Sequence, residues 1–251
     1  MSHASPLAAP ASLLALQRPF KWGPAGVSSP EAAFSLPVGT VTFVLTDVEG
    51  STRLWSTGDP AVVRSAVARH YALIADAIAR HGGVRPQEQG EGDSVVAAFA
   101  RPSEALTAVL EAQRALHIEN WPTETPIRVR MAVHTGEAQL RDGSNYAGQA
   151  IIRTARLRAL GHGGQVLVSA ATRDLAVDQT GEHFAFRPLG EHQLRDLARP
   201  ERVFQLLDPD LPAEFPPLRT SAPKHNLPII LSPFIGRASE IADLFRSEEH
   251  T

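Results

Sequence analysis

The chain of 251 residues is long enough for one sizeable core with tails, or for two small domains, and its 43% hydrophobic and 20% charged residues are those of a soluble globular protein. It contains no cysteine, which excludes a disulfide framework and thiolate metal ligation. A net charge of −3 with scattered basic residues leaves no electropositive footprint for nucleic acid, and no apolar run approaches the roughly 20 residues of a membrane span, so neither partner is expected and a cytoplasmic location is.

Residues 1–38 are rich in proline, alanine and serine and are expected to form a disordered leader. Regular pattern begins at Gly39. "TVTFVL" is short, β-branched and aromatic, as a buried strand is, and the Pro60 that follows "GD" opens a long stretch with apolar residues at helical spacing, closed by Gly82 and Gly83. "VRPQEQ" and "DSVVAAFA" read as two strands joined by the turn "GEG", and "PSEALTAVLEAQRALHIE" as an amphipathic helix. "PIRVRMAVHTGEAQL" alternates like a half-exposed strand and "QAIIRTARLRAL" is helical. A short strand in "GGQVLVS", a helix through "AATRDLAV" and strands around "FAFRPLGEHQL" and "ERVFQLL" complete the pattern.

The order predicts one α+β domain over 39–208, a ferredoxin-like βαββαβ core with additional C-terminal strands and helices. Residues 209–228 read as a proline-rich linker and 229–251 as the truncated start of another domain. The last six residues, "RSEEHT", match the translation of a common sequencing adapter and are expected to be foreign to the protein.

Two acids stand out by position. Asp47 ends the first strand, and Asp93 sits at the turn between two strands expected to neighbour it. Paired carboxylates at adjacent strand ends can hold hard cations such as Mg²⁺, while an acid taken singly at such a place is as readily explained by turn chemistry. Ser51 and Thr52, in "EGST", open a helix whose backbone N–H groups suit a phosphate; the same two hydroxyls suit an N-cap equally well.

Four ordered blocks, "FVLTDVEGSTRLW", "GEGDSVVAAF", "VRMAVHTGEAQLRDGSNYAGQAIIRTARLRALGHGGQVLVS" and "LRDLARPERVFQL", together resemble the catalytic domain of class III nucleotide cyclases, adenylyl and guanylyl. "EQGEGDSVV" and "NYAGQAIIR" are similar to the bacterial cyclase domains fused to ATPase and helix-turn-helix regulators, and "NLPIILSPFIGRASEI" resembles the start of such an ATPase.

The resemblance implies a fold, a reaction and a set of residues. The reaction is attack of a ribose 3′-hydroxyl on the α-phosphorus of ATP, or of GTP, releasing pyrophosphate. Asp47 and Asp93 match the acids that hold two Mg²⁺ or Mn²⁺ ions, Arg156 the transition-state arginine, and Arg195 the basic residue that holds the polyphosphate. Gln89 and Asn145 stand where adenylyl cyclases have a base-reading Lys and Asp; as amides, both can serve either purine. Ile152 stands where the catalytic Asn belongs, and an isoleucine donates no hydrogen bond. Ser94 replaces the usual second glycine of the turn. Active sites in the family lie between two subunits, which implies a homodimer with shared sites.

Two other functions remain open on these residues. A degenerate cyclase-homology module that binds nucleotide or dimerises, as the sensory part of a transcriptional regulator, is favoured by Ile152. A diguanylate cyclase requires a "GGDEF"-like turn, from which "GEGDS" departs. His70, His81, His134 and His162 sit at no metal-ligand spacing.

Overall fold

The computed structural model describes residues 35–88, 92–180 and 184–219. In chain order the elements are β1 (Gly39–Val48), α1 (Ser51–Thr57), α2 (Pro60–Arg80), β2 (Val95–Phe99), α3 (Pro102–Ile118), β3 (Val129–Leu140), β4 (Tyr146–Ala147), α4 (Gln149–Leu160), β5 (Val166–Ser169), α5 (Ala170–Thr180), β6 (Ala185–His192) and β7 (Glu201–Leu207).

The sheet runs β2-β1-β3-β5-β7-β6, with β4 paired to β3 off this path. β1 lies antiparallel to both β2 and β3, with Thr46 opposite Val95 on one side and Asp47 opposite Arg130 on the other. The one parallel pair among these strands is β3 with β5, joined by the crossover through α4.

Side-chain alternation along β1 decides what each face meets. Val44 and Val48 join a core with Ile74 and Ile78 of α2, Leu106 and Val109 of α3, and Ala176 of α5. Val41, Phe43 and Leu45 face the other way, toward Tyr146 and Ala150 at the start of α4. Asp47 continues that odd-numbered set, so its carboxylate emerges on the α4 side at the strand's end. Among the described residues, α2, α3 and α5, with Leu54 of α1, cover one face of the sheet, and α4 alone packs on the other.

Local sequence explains the helices. Asp59 caps α2, its Oδ1 accepting from the Ala61 and Val62 N–H groups at 2.8 and 3.1 Å, and Pro60 occupies the first turn, where its missing N–H costs nothing. The buried positions of α2, Val63, Ala66, His70, Ile74, Ala77 and Ile78, fall three and four apart, as one face of a helix requires.

Two expectations change. "VRPQEQ" forms no strand within its described residues: Val84 makes an isolated bridge to Ala98, and Pro86, lacking an N–H, cannot extend the ladder. The first part of the stretch expected to be linker, residues 209–219, lies against the domain together with Asp208. Asp208 pairs with Arg114, the Ala213 carbonyl accepts from Arg187 and Gln205 at 2.9 and 2.8 Å, and the Arg219 N–H donates to the Leu160 carbonyl at 2.9 Å. Leu211 and Leu218 pack on two different parts of the core. The expected leader up to residue 34, the remaining linker and the expected start of a further domain lie outside the described residues.

Candidate active site

β1 delivers Asp47, and the turn before β2 delivers Asp93. Glycine makes both turns possible: Gly50, at φ +69°, lets the chain leave β1 directly into α1, and Gly92, at φ +65°, sets the backbone just ahead of Asp93. Tyr71 of α2 pins the second turn, its hydroxyl donating to the Gly92 carbonyl at 2.7 Å. Asp93 Oδ2 accepts the Val48 N–H, which brings its carboxylate to the residue following Asp47. The two acids predicted to be neighbours are therefore together at one end of the sheet.

Two arginines that sequence reasoning did not single out share this corner. Arg130, opposite Asp47 across the β1–β3 ladder, grips its carboxylate with both arms, Nε to Oδ1 at 2.7 Å and Nη2 to Oδ2 at 2.5 Å. Arg158 comes from α4. Its Nε lies 3.4 Å from Asp47 Oδ2, and its Nη1 donates to the Thr46 carbonyl at 3.0 Å and to Ser94 Oγ at 3.3 Å. Burial pushes the Arg158 guanidinium below its ordinary pKa, Asp47 opposes this, and Arg130 adds to it. No spacing rule links positions so far apart in the chain, so only the register of β1 with β3 could have pointed to Arg130.

Arg156 takes another direction. Its Nη2 donates to Asp196 Oδ2 at 3.0 Å, and Arg195, 70% of whose side chain is exposed, flanks the same carboxylate at 3.4 Å. Asp196 has φ of +61°, the one non-glycine positive φ among the described residues, and it holds the two candidate phosphate-binding cations side by side. Within one chain, Asp47 and Asp93 thus form one constellation and Arg156 with Arg195 another.

Asn145 is buried and committed to its own loop. Its Oδ1 accepts the Glu88 N–H at 2.7 Å, and its Nδ2 donates to both oxygens of Asp142 at 3.1 and 3.0 Å. These donors, Asn145 first, hold the Asp142 carboxyl well below the usual carboxylate range. Gln89 lies outside the described residues, but its neighbour Glu88 is the residue that Asn145 binds. Ser51 and Thr52 open α1, whose cap is Gly50 with no side-chain hydrogen bond, so neither hydroxyl is used as an N-cap. Ile152 projects from α4 with 42% of its surface exposed.

The acid corner suits hard divalent cations in its donor chemistry, since it offers two carboxylates and no soft ligand. Among the described residues no group of three or more His, Cys, Asp or Glu could hold a metal, so ions bound at Asp47 and Asp93 would complete their shells with water and with phosphate oxygens of a substrate. His134, buried on β3, bonds Ser169 Oγ through Nδ1 at 2.8 Å, and burial with the nearby Arg153 pushes its pKa down to about 4.

A sequence model of the adenylate and guanylate cyclase catalytic domain matches residues 35–207. An uncharacterized protein of Mycobacterium tuberculosis is 47% identical over 208 residues, covering 82% of this chain and 70% of the relative. A receptor-type adenylate cyclase of Trypanosoma equiperdum is 28% identical over 207 residues, 66% of this chain and 44% of that protein. Among solved structures, an adenylate cyclase of Trypanosoma brucei in its monomeric state superposes with a TM-score of 0.68 at 27% identity, over 75% of this chain and 99% of that one. An adenylate/guanylate cyclase/hydrolase of Silicibacter pomeroyi does so with a TM-score of 0.58 at 29% identity, over 67% and 96%. No described helix is long and apolar enough to cross a membrane.

Proposed function

The chain belongs to the adenylate and guanylate cyclase catalytic-domain family, and from that premise we propose that it converts ATP to 3′,5′-cyclic AMP and pyrophosphate as a homodimer. The observation that carries the proposal is the meeting of Asp47 and Asp93 at one end of the sheet while Arg156 and Arg195 gather around Asp196. A second copy of the chain supplies the arginines that the acids of the first do not meet. Each dimer then has two equivalent sites.

Asp47 and Asp93 would hold Mg²⁺ or Mn²⁺, and such ions, when bound, supply charge stabilisation for in-line phosphoryl displacement. The partner copy's Arg156 and Arg195 leave Asp196 for the triphosphate, Arg156 balancing the charge that develops on the α-phosphate and Arg195 holding the polyphosphate. Arg130, gripping the Asp47 carboxylate with both arms, holds it aligned before the substrate arrives. Asn145 acts by fixing the loop against Glu88, and Gln89, next in sequence, reads the base edge with its amide. The fusion to an ATPase and helix-turn-helix regulator belongs to the same proposal and rests on the resemblance carried by "EQGEGDSVV", "NYAGQAIIR" and "NLPIILSPFIGRASEI"; a cytoplasmic setting is proposed with it.

Incubating the purified chain with Mn²⁺ and ATP, and separately GTP, at several protein concentrations tests this. Cyclic product that rises with the square of concentration at high dilution and vanishes in Asp47→Ala supports it. Ile152 favours a second reading, a module that keeps the pocket and lacks the chemistry. ATP binding without any product, in the wild type and in Ile152→Asn alike, would select that reading.

A further inference from the structure

We propose that Arg158 and Ser94 form a positioning pair that sets the spacing of Asp47 and Asp93, so that α4 of each subunit determines how tightly that subunit's own acids take a divalent ion. The inference rests on the reading of Asp47 and Asp93 as metal ligands.

Arg158 touches each part of the acid corner. One arm reaches the Thr46 carbonyl, the backbone immediately before Asp47, and also the Ser94 hydroxyl, immediately after Asp93. Its Nε stands beside the Asp47 carboxylate. β1 and the turn before β2 are joined at their ends by the Val48 N–H to Asp93, and Arg158 closes that junction from the α4 side. A planar guanidinium is suited to this, because its donors leave in fixed directions, so that one arm serves the Thr46 carbonyl and the Ser94 hydroxyl while Nε is held beside Asp47. A lysine at 158 would offer a point charge with no fixed fork.

Ser94 gives the arrangement its second anchor. The resembling family's turn has glycine there, which offers no hydroxyl; here the replacement has a partner, and that partner is Arg158. The brace hydrogen-bonds the backbone and the turn, at 3.0 and 3.3 Å, whereas its Nε stands 3.4 Å from the acid without a hydrogen bond to it. Its work is therefore geometric. A nearby cation opposes metal entry by charge, whereas a fixed spacing of two carboxylates favours it, and substituting Arg158 distinguishes these opposite effects.

The test measures binding. Free Mn²⁺ is titrated by electron paramagnetic resonance against the full chain with 3′-deoxy-ATP, which lacks the attacking hydroxyl. Wild type, Arg158→Gln, Arg158→Lys, Ser94→Ala, Arg158→Gln with Ser94→Ala, and Asp47→Asn are compared, with thermal melts to confirm folding. Arg158→Gln and Arg158→Lys are expected to weaken Mn²⁺ binding alike, by about tenfold, as loss of a group that orients metal ligands does. Ser94→Ala, which removes only a hydroxyl and threatens the fold least, is expected to weaken it by about threefold and to add nothing in the Arg158→Gln background. Unchanged or tighter binding in Arg158→Gln, wild-type binding in Arg158→Lys, or additive effects of the two sites would overturn the proposal. Unchanged binding in Asp47→Asn would overturn the metal-ligand reading itself, and is distinct from those outcomes.

Discussion

Arg156 and Arg158 stand two residues apart on α4 and reach different carboxylates, Asp196 at 3.0 Å for the first and Asp47 at 3.4 Å for the second. At about 100° of helix rotation per residue, side chains two apart leave on nearly opposite sides. One helix thus serves the acids of its own chain with one arginine and presents the other elsewhere.

This division predicts complementation between inactive subunits. Asp47→Asn and Arg156→Ala should each be inactive alone, and an equal mixture should regain about a quarter of wild-type activity, because half the dimers are mixed and each holds one intact site. Cyclic nucleotide formation before and after mixing checks it. No recovery after verified subunit exchange would mean that both residues act within one chain.

Removing the Asp47 charge should also be visible in stability. Asp47→Asn takes the bidentate partner from Arg130, and both side chains are mostly buried, at 15% and 18% exposure. The expected loss is about 2 kcal/mol in urea unfolding without metal, below the range for fully buried pairs because both groups keep some contact with water. An unchanged midpoint would show that the pair contributes little to folding.

Ile152→Asn should raise turnover by about 10², the value of one restored transition-state donor. With 42% of Ile152 exposed, the change is expected to alter stability by no more than about 0.5 kcal/mol. Steady-state kinetics and a melt on the same sample decide it.

Stability should fall on acidification through His70. It is fully buried on α2, and burial pushes its pKa down to about 4, with Asp93 and a hydrogen bond to the Val67 backbone partly opposing. A histidine depressed in the folded state stays neutral there while the unfolded chain takes a proton, so stability is retained above pH 6.5, is lost as pH falls toward 4, and changes no further below. The loss is on the order of 3 kcal/mol. Unfolding of His70→Leu between pH 7.5 and 4 should give a correspondingly flatter curve, and an identical slope would exclude His70 as the source.

Asn145→Asp should disturb the loop more than it sharpens base choice. The new carboxylate would face Asp142, to which Asn145 now donates twice, while its contact with the Glu88 N–H survives. A lowered Tm, recovered by adding Asp142→Asn, is the expected outcome. Full stability in the single variant would mean that the loop rearranges freely.

The elements most legible in the sequence were those with a strong local signal. The β-branched run of β1, the Asp59–Pro60 start of α2 and the apolar spacing of α4 each determine their structure over a few residues. Asp47 and Asp93 could be placed near each other because strand order limits which ends meet. Arg130, Arg158 and Asp196 could not be singled out, because each depends on contacts between distant segments, and arginines on helices and strands usually face solvent. "VRPQEQ" misleads because only Val84 reaches the sheet before Pro86, which has no donor to extend the ladder, and β4 has only two residues with which to announce itself.

The packed domain runs past the segment that the cyclase family model matches. Residues 35–207 carry the family resemblance, yet the packing continues to Arg219, whose side chain pairs with Glu49, two positions beyond Asp47. Ending the chain at Leu207 would leave Arg114 without Asp208 and the Leu160 carbonyl at the end of α4 without its donor. Arg219 therefore ties one point of the chain both to the acid loop, through Glu49, and to the end of the arginine-bearing helix, through the Leu160 carbonyl.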